Sequence, residues 1–211
     1  MYKYFSVLLF LIIIIIAGCK DNTTNPTNPT SKDIIPLKTG NQWIFTSEEY
    51  DSNNQITKVT IDTLKILKDT TINSEKWFVF GTNSENTSYC ILRSDGFYAM
   101  SKDTSGNFSP YQLYKYPAST GDIFIRNMQY FKDTVKVLST SATATTPAGS
   151  FSCYEYQSIY EQTYYGFTIY IKSLDFISPA VGMIKTETYE KKSNGTEYLS
   201  GSMKLKSYTL K

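Results

Sequence analysis

Histidine is absent from this chain of 211 residues. Without imidazole, the chain has no Ser-His-Asp or Cys-His catalytic set and no metal site of the kind that needs histidine ligands. The other residue types offer no convergent nucleophile and base, and the oxygen-rich turns do not match the twelve-residue calcium loop. We therefore expect no catalytic residue, no metal site and no cofactor, and a binding protein is favoured over an enzyme.

An excess of one charge is also missing. The sequence has 21 lysines and arginines against 19 aspartates and glutamates, which gives a formal net charge of +2. A nucleic-acid-binding domain usually carries a basic patch or a strongly basic balance. Nucleic acid is therefore not an expected partner, and the sequence leaves the oligomeric state open.

Cysteine is scarce, with three residues at positions 19, 90 and 153. No Cys-x-x-Cys redox motif is present. In an oxidising compartment Cys90 and Cys153 are a candidate disulfide, whereas the alternative is that both are small buried hydrophobic side chains. The local alternation places Cys90 with Leu92 and Cys153 with Phe151, which suits both alternatives.

A short apolar run, residues 7–18, ends directly before Cys19. Lys3 precedes the run and small residues close it, which is typical of a secretory signal, and its length of about 12 residues is below the ~20 needed to span a bilayer. The sequence Ile16-Ala17-Gly18-Cys19 resembles the lipobox of bacterial lipoproteins. The resemblance implies a signal peptide over residues 1–18, cleavage after Gly18 and a membrane anchor through lipid on Cys19.

Residues 19–33 are predicted to be a lipidated, disordered tether. Asn22 to Ser31 contains no large apolar residue and has two prolines, a composition that favours an extended, poorly packing chain. The stretch Lys20-Asp21-Asn22 is similar to the signals that send Bacteroidota lipoproteins to the cell surface, although Asn22 stands where a second acid is usual. We expect a lipid-anchored protein of the cell envelope, at the outer membrane, on either its periplasmic or its surface face.

From residue 34 to residue 211 the apolar pattern has a period of two. Val135 and Val137 alternate with polar residues, and Asn194-Gly195 is typical of a hairpin turn. No window has helical periodicity, so we predict one all-β antiparallel domain. Its sheet is expected to curve strongly into a partly open barrel or half-barrel, resembling the lipoprotein-carrier type of envelope fold. A two-sheet β-sandwich is the alternative, because periodicity shows which face is buried and not how the sheet closes.

A short pattern occurs twice, as Pro-x-x-x-Gly-(Asn/Asp)-x-aromatic. It spans Pro36 to Trp43 and again Pro117 to Phe124. Glycine followed by Asn or Asp is typical of a turn before a strand. We interpret the two copies as similar strand entries within one domain, and not as tandem domains, because a true repeat extends further.

Two further motifs carry a family resemblance. Pro147-Ala148-Gly149-Ser150-Phe151 and the stretch from Ser178 to Lys185, together with the opening Pro36 to Trp43, look like signatures of poorly characterised exported proteins and lipoproteins of Bacteroidota. The resemblance implies a secreted, mostly antiparallel β-protein with no established activity. The motifs themselves indicate turns, because proline fixes φ and glycine permits positive φ.

Tyrosine is abundant, with 18 residues. A candidate ligand platform consists of Tyr154, Tyr156, Tyr164 and Tyr170, since an aromatic face stacks on a sugar ring or an amphipathic ligand. The simpler alternative is that tyrosine suits half-solvated strands. The sequence thus predicts a non-catalytic envelope lipoprotein that binds an apolar or amphipathic ligand, or a protein partner, in a concave sheet. The alternative function is a surface glycan-binding module that uses exposed tyrosines.

Overall fold

The computed structural model describes residues 33–81, 87–102, 107–128, 132–165 and 167–211. The predicted signal peptide, Cys19 and the tether before Asp33 lie outside these residues, so those assignments stay predictions. Among the described residues, no helix has the length and apolar character that crossing a bilayer requires.

Every regular element of the described residues is a β-strand. The strands are β1 (Gln42–Tyr50), β2 (Ile56–Ile72), β3 (Glu75–Gly81), β4 (Thr87–Arg93), β5 (Gly96–Lys102), β6 (Phe108–Lys115), β7 (Ile123–Asn127), β8 (Lys132–Thr146), β9 (Gly149–Tyr164), β10 (Phe167–Ser178), β11 (Gly182–Lys191) and β12 (Glu197–Thr209). They form one antiparallel sheet in the order β6-β5-β4-β3-β2-β1-β12-β11-β10-β9-β8-β7.

The sheet curls into a nearly closed barrel with one unsealed seam. Its two edge strands, β6 and β7, approach each other but share no ladder of hydrogen bonds, whereas β1 pairs with both β2 and β12. The predicted partly open barrel is confirmed. The alternative β-sandwich is wrong, because a single continuous sheet supplies all the walls.

The repeated sequence pattern forms two equivalent turns. The Gly40 amide donates to the carbonyl of Ile66 on β2 over 2.8 Å, and the Ile66 amide donates to the carbonyl of Asn41 over 2.9 Å. In the second copy, Gly121 and Asp122 make the same two bonds with Val137 on β8, over 2.8 and 2.9 Å. Both glycines have positive φ, 91° and 93°, which glycine adopts without strain. The prediction of two similar strand entries is confirmed.

One end of the barrel is closed by two segments. Irregular register between β8 and β9, near Ser139, lets that hairpin bend, as bulges do. The hairpin tip then reaches β12, where the Ala148 amide donates to the carbonyl of Leu205 over 3.2 Å. The chain enters the fold at the same region, since the Ala180 amide donates to the carbonyl of Asp33 over 2.7 Å and Ile34 is fully buried.

Candidate functional site

An apolar cavity of about 230 Å³ lies inside the barrel. It exceeds the ~150 Å³ that accommodates one benzene molecule and falls below the ~300–1,000 Å³ of sites for drug-sized ligands. Its size therefore suits one short acyl chain or a single apolar ring. The lining residues are Ile35, Trp43, Phe45, Leu64, Phe80, Gly81, Ser88, Cys90, Phe97, Ala99, Tyr111, Leu113, Tyr114 and Met183.

Strands β1 to β6 provide most of the cavity wall. Each strand contributes alternate residues, because successive side chains of a strand point to opposite faces of the sheet. The cavity exists because two small side chains, Cys90 on β4 and Ala99 on β5, are neighbours in the wall and leave volume unfilled. Ala99 in turn pairs with Tyr111 on β6. Since β6 is an edge strand at the seam, no other described strand pairs with the free edge of this wall.

Aromatic rings continue from the cavity across the barrel interior. Trp43 stacks on Phe80 with ring centroids 5.8 Å apart, and Phe97 stacks on Tyr114 at 6.3 Å. Tyr114 then contacts Tyr156 of the opposite wall at 5.0 Å. The row fills the interior beyond Tyr114, so the cavity ends there.

A buried carboxyl group lies at this inner end. Asp175 accepts hydrogen bonds from the hydroxyls of Tyr114, at 3.2 Å, and Thr186, at 2.9 Å. Burial raises the pKa of Asp175, and the hydrogen bond from Thr186 and the charge of Arg126 oppose that rise. Burial likewise raises the pKa of Tyr114 well above its ordinary value. The inner end of the cavity is thus polar but already hydrogen-bonded.

Arg126 and Asp133 form a buried ion pair in the same region. Arg126 Nε lies 3.0 Å from Asp133 Oδ1, and the two side chains are only 12% and 4% exposed. A charge so deeply buried needs a partner to offset its lost hydration. Among the described residues, no three side chains of the types that ligate metals come together.

A concave apolar site was predicted from the sequence, but the residues that line it, Asp175 and the ion pair were not. The sequence of β8 does indicate the ion pair. Asp133 lies on the same face of the strand as the buried residues Val135 and Val137, so an acidic side chain lies on the apolar face and needs a partner. The cavity had no local signal, because six strands must meet before the unfilled volume exists.

The structure does not bring the four predicted platform tyrosines together. Tyr156 is buried, with its hydroxyl bonded to the carbonyl of Lys115 at 2.8 Å, and Tyr154 stacks on it from the same face. Tyr170 points to the opposite face, since Tyr156 pairs with Asp175 in an unshifted register. There its hydroxyl bonds to Glu197 at 2.5 Å. The side chain of Tyr164 lies outside the described part of the chain.

Cys90 and Cys153 are both buried free thiols in the structure. Of the two alternatives for this pair, the structure therefore has the small buried side chains and not the disulfide. Cys90 is on β4 and Cys153 on β9, strands that are far apart in the order of the sheet. Burial raises the pKa of each thiol to about 12.

A charged cluster on the outer face of β1, β11 and β12 surrounds Glu48. Its carboxylate accepts hydrogen bonds from Lys204 at 2.8 Å, Tyr50 at 2.6 Å and Ser202 at 3.1 Å. These bonds, the one from Lys204 first, lower the pKa of Glu48 to about 2. Because Oε2 of Glu48 on β1 accepts bonds from Ser202 and Lys204 on β12, we assign the cluster to holding β1 against β12.

Comparison with known proteins supports the fold. A family model described as DUF3108-like matches residues 121–203, which is less than half of the chain. A crystal structure of a protein from Parabacteroides distasonis ATCC 8503, described as a lipoprotein, is similar with a TM-score of 0.52 and 16% identity, covering 86% of this chain and 100% of that one.

A second crystal structure is that of a protein from Bacteroides fragilis NCTC 9343, described as an exported protein with a YmcC-like fold. Its TM-score is 0.49 and its identity 14%, with 83% of this chain and 98% of that one covered. No curated protein matches the chain.

Proposed function

We propose that this protein is a non-catalytic lipoprotein of the cell envelope that holds an apolar or single-chain amphipathic ligand inside its barrel. The observation that carries the proposal is the apolar cavity of about 230 Å³. Binding sites for small ligands are mostly apolar concavities with a few polar groups, and the interior of this barrel has that character.

The seam supports the entry of a ligand into the cavity. Leu113 and Tyr111 of β6 line the cavity, and β6 is free of a ladder on the side that faces β7. Movement of β6 outward therefore breaks no backbone hydrogen bond between strands at the seam. The side-chain bonds from Tyr114 to Asp175 and from Tyr156 to the Lys115 carbonyl hold the far end of β6, so we expect any widening to occur near Tyr111.

The location rests on the amino end of the chain. Cys19 in its lipobox-like setting supports lipid anchoring, and the polar residues before Asp33 support a tether between the membrane and the barrel. The similar structure described as a lipoprotein agrees with export. Within the envelope we propose the outer membrane as the site of anchoring.

We do not propose a glycan-binding surface. Such a surface requires adjacent exposed aromatic faces, whereas Tyr156 is buried and Tyr170 projects from the other side of the sheet. Tyr170 is also covered by Lys191, whose ammonium nitrogen lies 3.7 Å from the ring centroid.

The test uses the chain from Lys20 onward, which contains every described residue. The purified protein is extracted with organic solvent, the extract is analysed by mass spectrometry, and the stripped protein is titrated with the neutral fluorophore N-phenyl-1-naphthylamine. We expect a bound apolar compound in the extract and saturable binding of the fluorophore by the stripped protein. No extracted compound together with no saturable binding would refute the proposal.

Two substitutions localise the binding. Ala99→Leu adds volume to the cavity wall and should abolish binding of the fluorophore. Ala144→Leu is the matched control, because Ala144 is equally buried, 3% against 5% exposed, but does not line the cavity. If overpacking unfolds either variant, Ser88→Phe at the cavity rim and Ser152→Phe on the outer face of β9, both at exposed strand positions, give the same comparison.

A further inference from the structure

We infer that the cavity selects a ligand with a neutral polar head group, a hydroxyl or an ester or amide carbonyl, that hydrogen-bonds to Tyr111 and Ser88. The apolar chain of this ligand points inward, and a carboxylate or phosphate in the same position is rejected. This inference rests on the proposed function, because it specifies the ligand of the same cavity.

Two hydroxyl groups of the cavity lining are available to a ligand. Tyr111 is half-buried and Ser88 is exposed, so both lie where the cavity meets solvent. Among the described residues, neither hydroxyl has a hydrogen-bond partner. Each hydroxyl can donate one hydrogen bond and accept others. The rim therefore presents unused polar groups to an incoming molecule.

The inner end of the cavity offers no such group. The hydroxyl of Tyr114 already donates to Asp175, and the rest of the lining around it is aromatic or aliphatic. A polar head placed there would lose its hydration without a new partner, which costs free energy. The ligand is therefore oriented with its apolar end inward and its head at Tyr111 and Ser88.

The charge distribution excludes an anionic head. No lysine or arginine is among the described residues that line the cavity. Arg126 is close enough to influence the pKa of Tyr111, but its guanidinium group is engaged by both carboxylate oxygens of Asp133. An anion at the rim would therefore lose its hydration without meeting a free cation among the described lining residues, whereas a neutral oxygen needs only the two hydroxyls.

Three eight-carbon compounds separate the effect of head-group charge from that of hydrogen bonding. 1-Octanol has a neutral polar head, octanoate has an anionic head, and 1-chlorooctane has no hydroxyl or carbonyl. Each displaces N-phenyl-1-naphthylamine from the chain starting at Lys20, at pH 8. We expect 1-octanol to bind at least tenfold more tightly than octanoate. Tyr111→Phe should weaken 1-octanol by roughly three- to tenfold, the usual effect of one lost hydrogen bond, and change 1-chlorooctane less than twofold.

The matched control is Tyr98→Phe, which removes a tyrosine hydroxyl that bonds to Asp95 away from the cavity and should leave all three affinities unchanged. Octanoate binding as tightly as 1-octanol would overturn the inference, as would equal losses of 1-octanol and 1-chlorooctane in Tyr111→Phe, while the proposed function would stand. Failure of the fluorophore and all three compounds to bind would overturn both.

Discussion

The indole N–H of Trp43 donates a hydrogen bond of 2.6 Å to the backbone carbonyl of Val181, which lies 138 residues further along the chain. Both residues are buried, at 2% and 1% exposed. The second tryptophan, Trp77, is equally buried, but its indole N–H has no acceptor among the described residues. The two tryptophans are therefore a matched pair with and without the hydrogen bond.

Replacing each tryptophan by phenylalanine should separate the hydrogen bond from the packing. Both changes replace a buried indole by the smaller phenyl ring, but only Trp43→Phe removes the hydrogen bond to the buried carbonyl of Val181. We expect Trp43→Phe to lower the free energy of unfolding by about 1–3 kcal/mol more than Trp77→Phe. Urea denaturation followed by far-ultraviolet circular dichroism measures both. Equal losses would show that the bond to Val181 contributes nothing to stability.

The ion pair between Arg126 and Asp133 should be costly to break on one side. Asp133→Asn leaves a buried guanidinium charge unpaired, so we expect a loss of about 3–5 kcal/mol in the free energy of unfolding. Glu49→Gln is the control, because its bridge to Lys58 is about 60% exposed on both sides and should contribute less than ~1 kcal/mol. The double change Arg126→Met with Asp133→Leu should recover most of the loss, and a double variant as unstable as Asp133→Asn would contradict this account.

Glu48 should make stability depend on acid pH. Its pKa is lowered from 4.5 to about 2 in the folded protein, so its contribution is fully present above pH 4.5 and is lost as the pH falls towards 2. Glu48→Gln should be less stable than the wild type at pH 7, and the difference should vanish near pH 2. Denaturation curves across this range measure it. Lys204→Met removes the largest cause of the shift, and a variant that kept the full wild-type pH dependence would contradict the assignment.

The two buried thiols should resist labelling until the barrel unfolds. Because burial raises the pKa of Cys90 and of Cys153 to about 12, little thiolate exists at pH 8, and the thiolate is the reactive form. In the chain from Lys20 onward, without reductant, a thiol reagent should label neither residue in buffer and both in guanidinium chloride. Absence of labelling in denaturant would indicate a disulfide, and rapid labelling in buffer would contradict the burial.

Local patterns were enough to predict the strands and turns. Alternation placed Val135 and Val137 on the buried face, and both are fully enclosed. The turn glycines Gly149 and Gly182 adopt positive φ, 130° and 100°, as their motifs indicated. These features depend on a few neighbouring residues, and the backbone conformation of each is set by sterics within its own turn.

The binding site could not be predicted in the same way. Which tyrosines share a face depends on the register between β9 and β10, and a shift of one residue would exchange the faces. The cavity depends on Ala99 and Cys90 meeting large rings from β1 and β6, and no local pattern encodes that unfilled volume. The sequence therefore predicted the curved β-sheet, but the shared face proposed for Tyr156 and Tyr170 is not found in the structure.

The order of the strands has a consequence for how the chain folds. From β7 to β12, and on from β1 to β6, neighbours in the described sheet form one uninterrupted up-and-down meander. The connectivity is that of a circularly permuted meander. The neighbours β12 and β1 are paired but not consecutive in the chain, whereas β6 and β7 are consecutive in the chain but not paired. Every other ladder among the described strands joins consecutive strands, so β1 with β12 is the one pairing in this sheet that joins residues far apart in sequence. Since distant pairings form slowly, we expect closure of β1 onto β12 to limit the rate at which the barrel assembles.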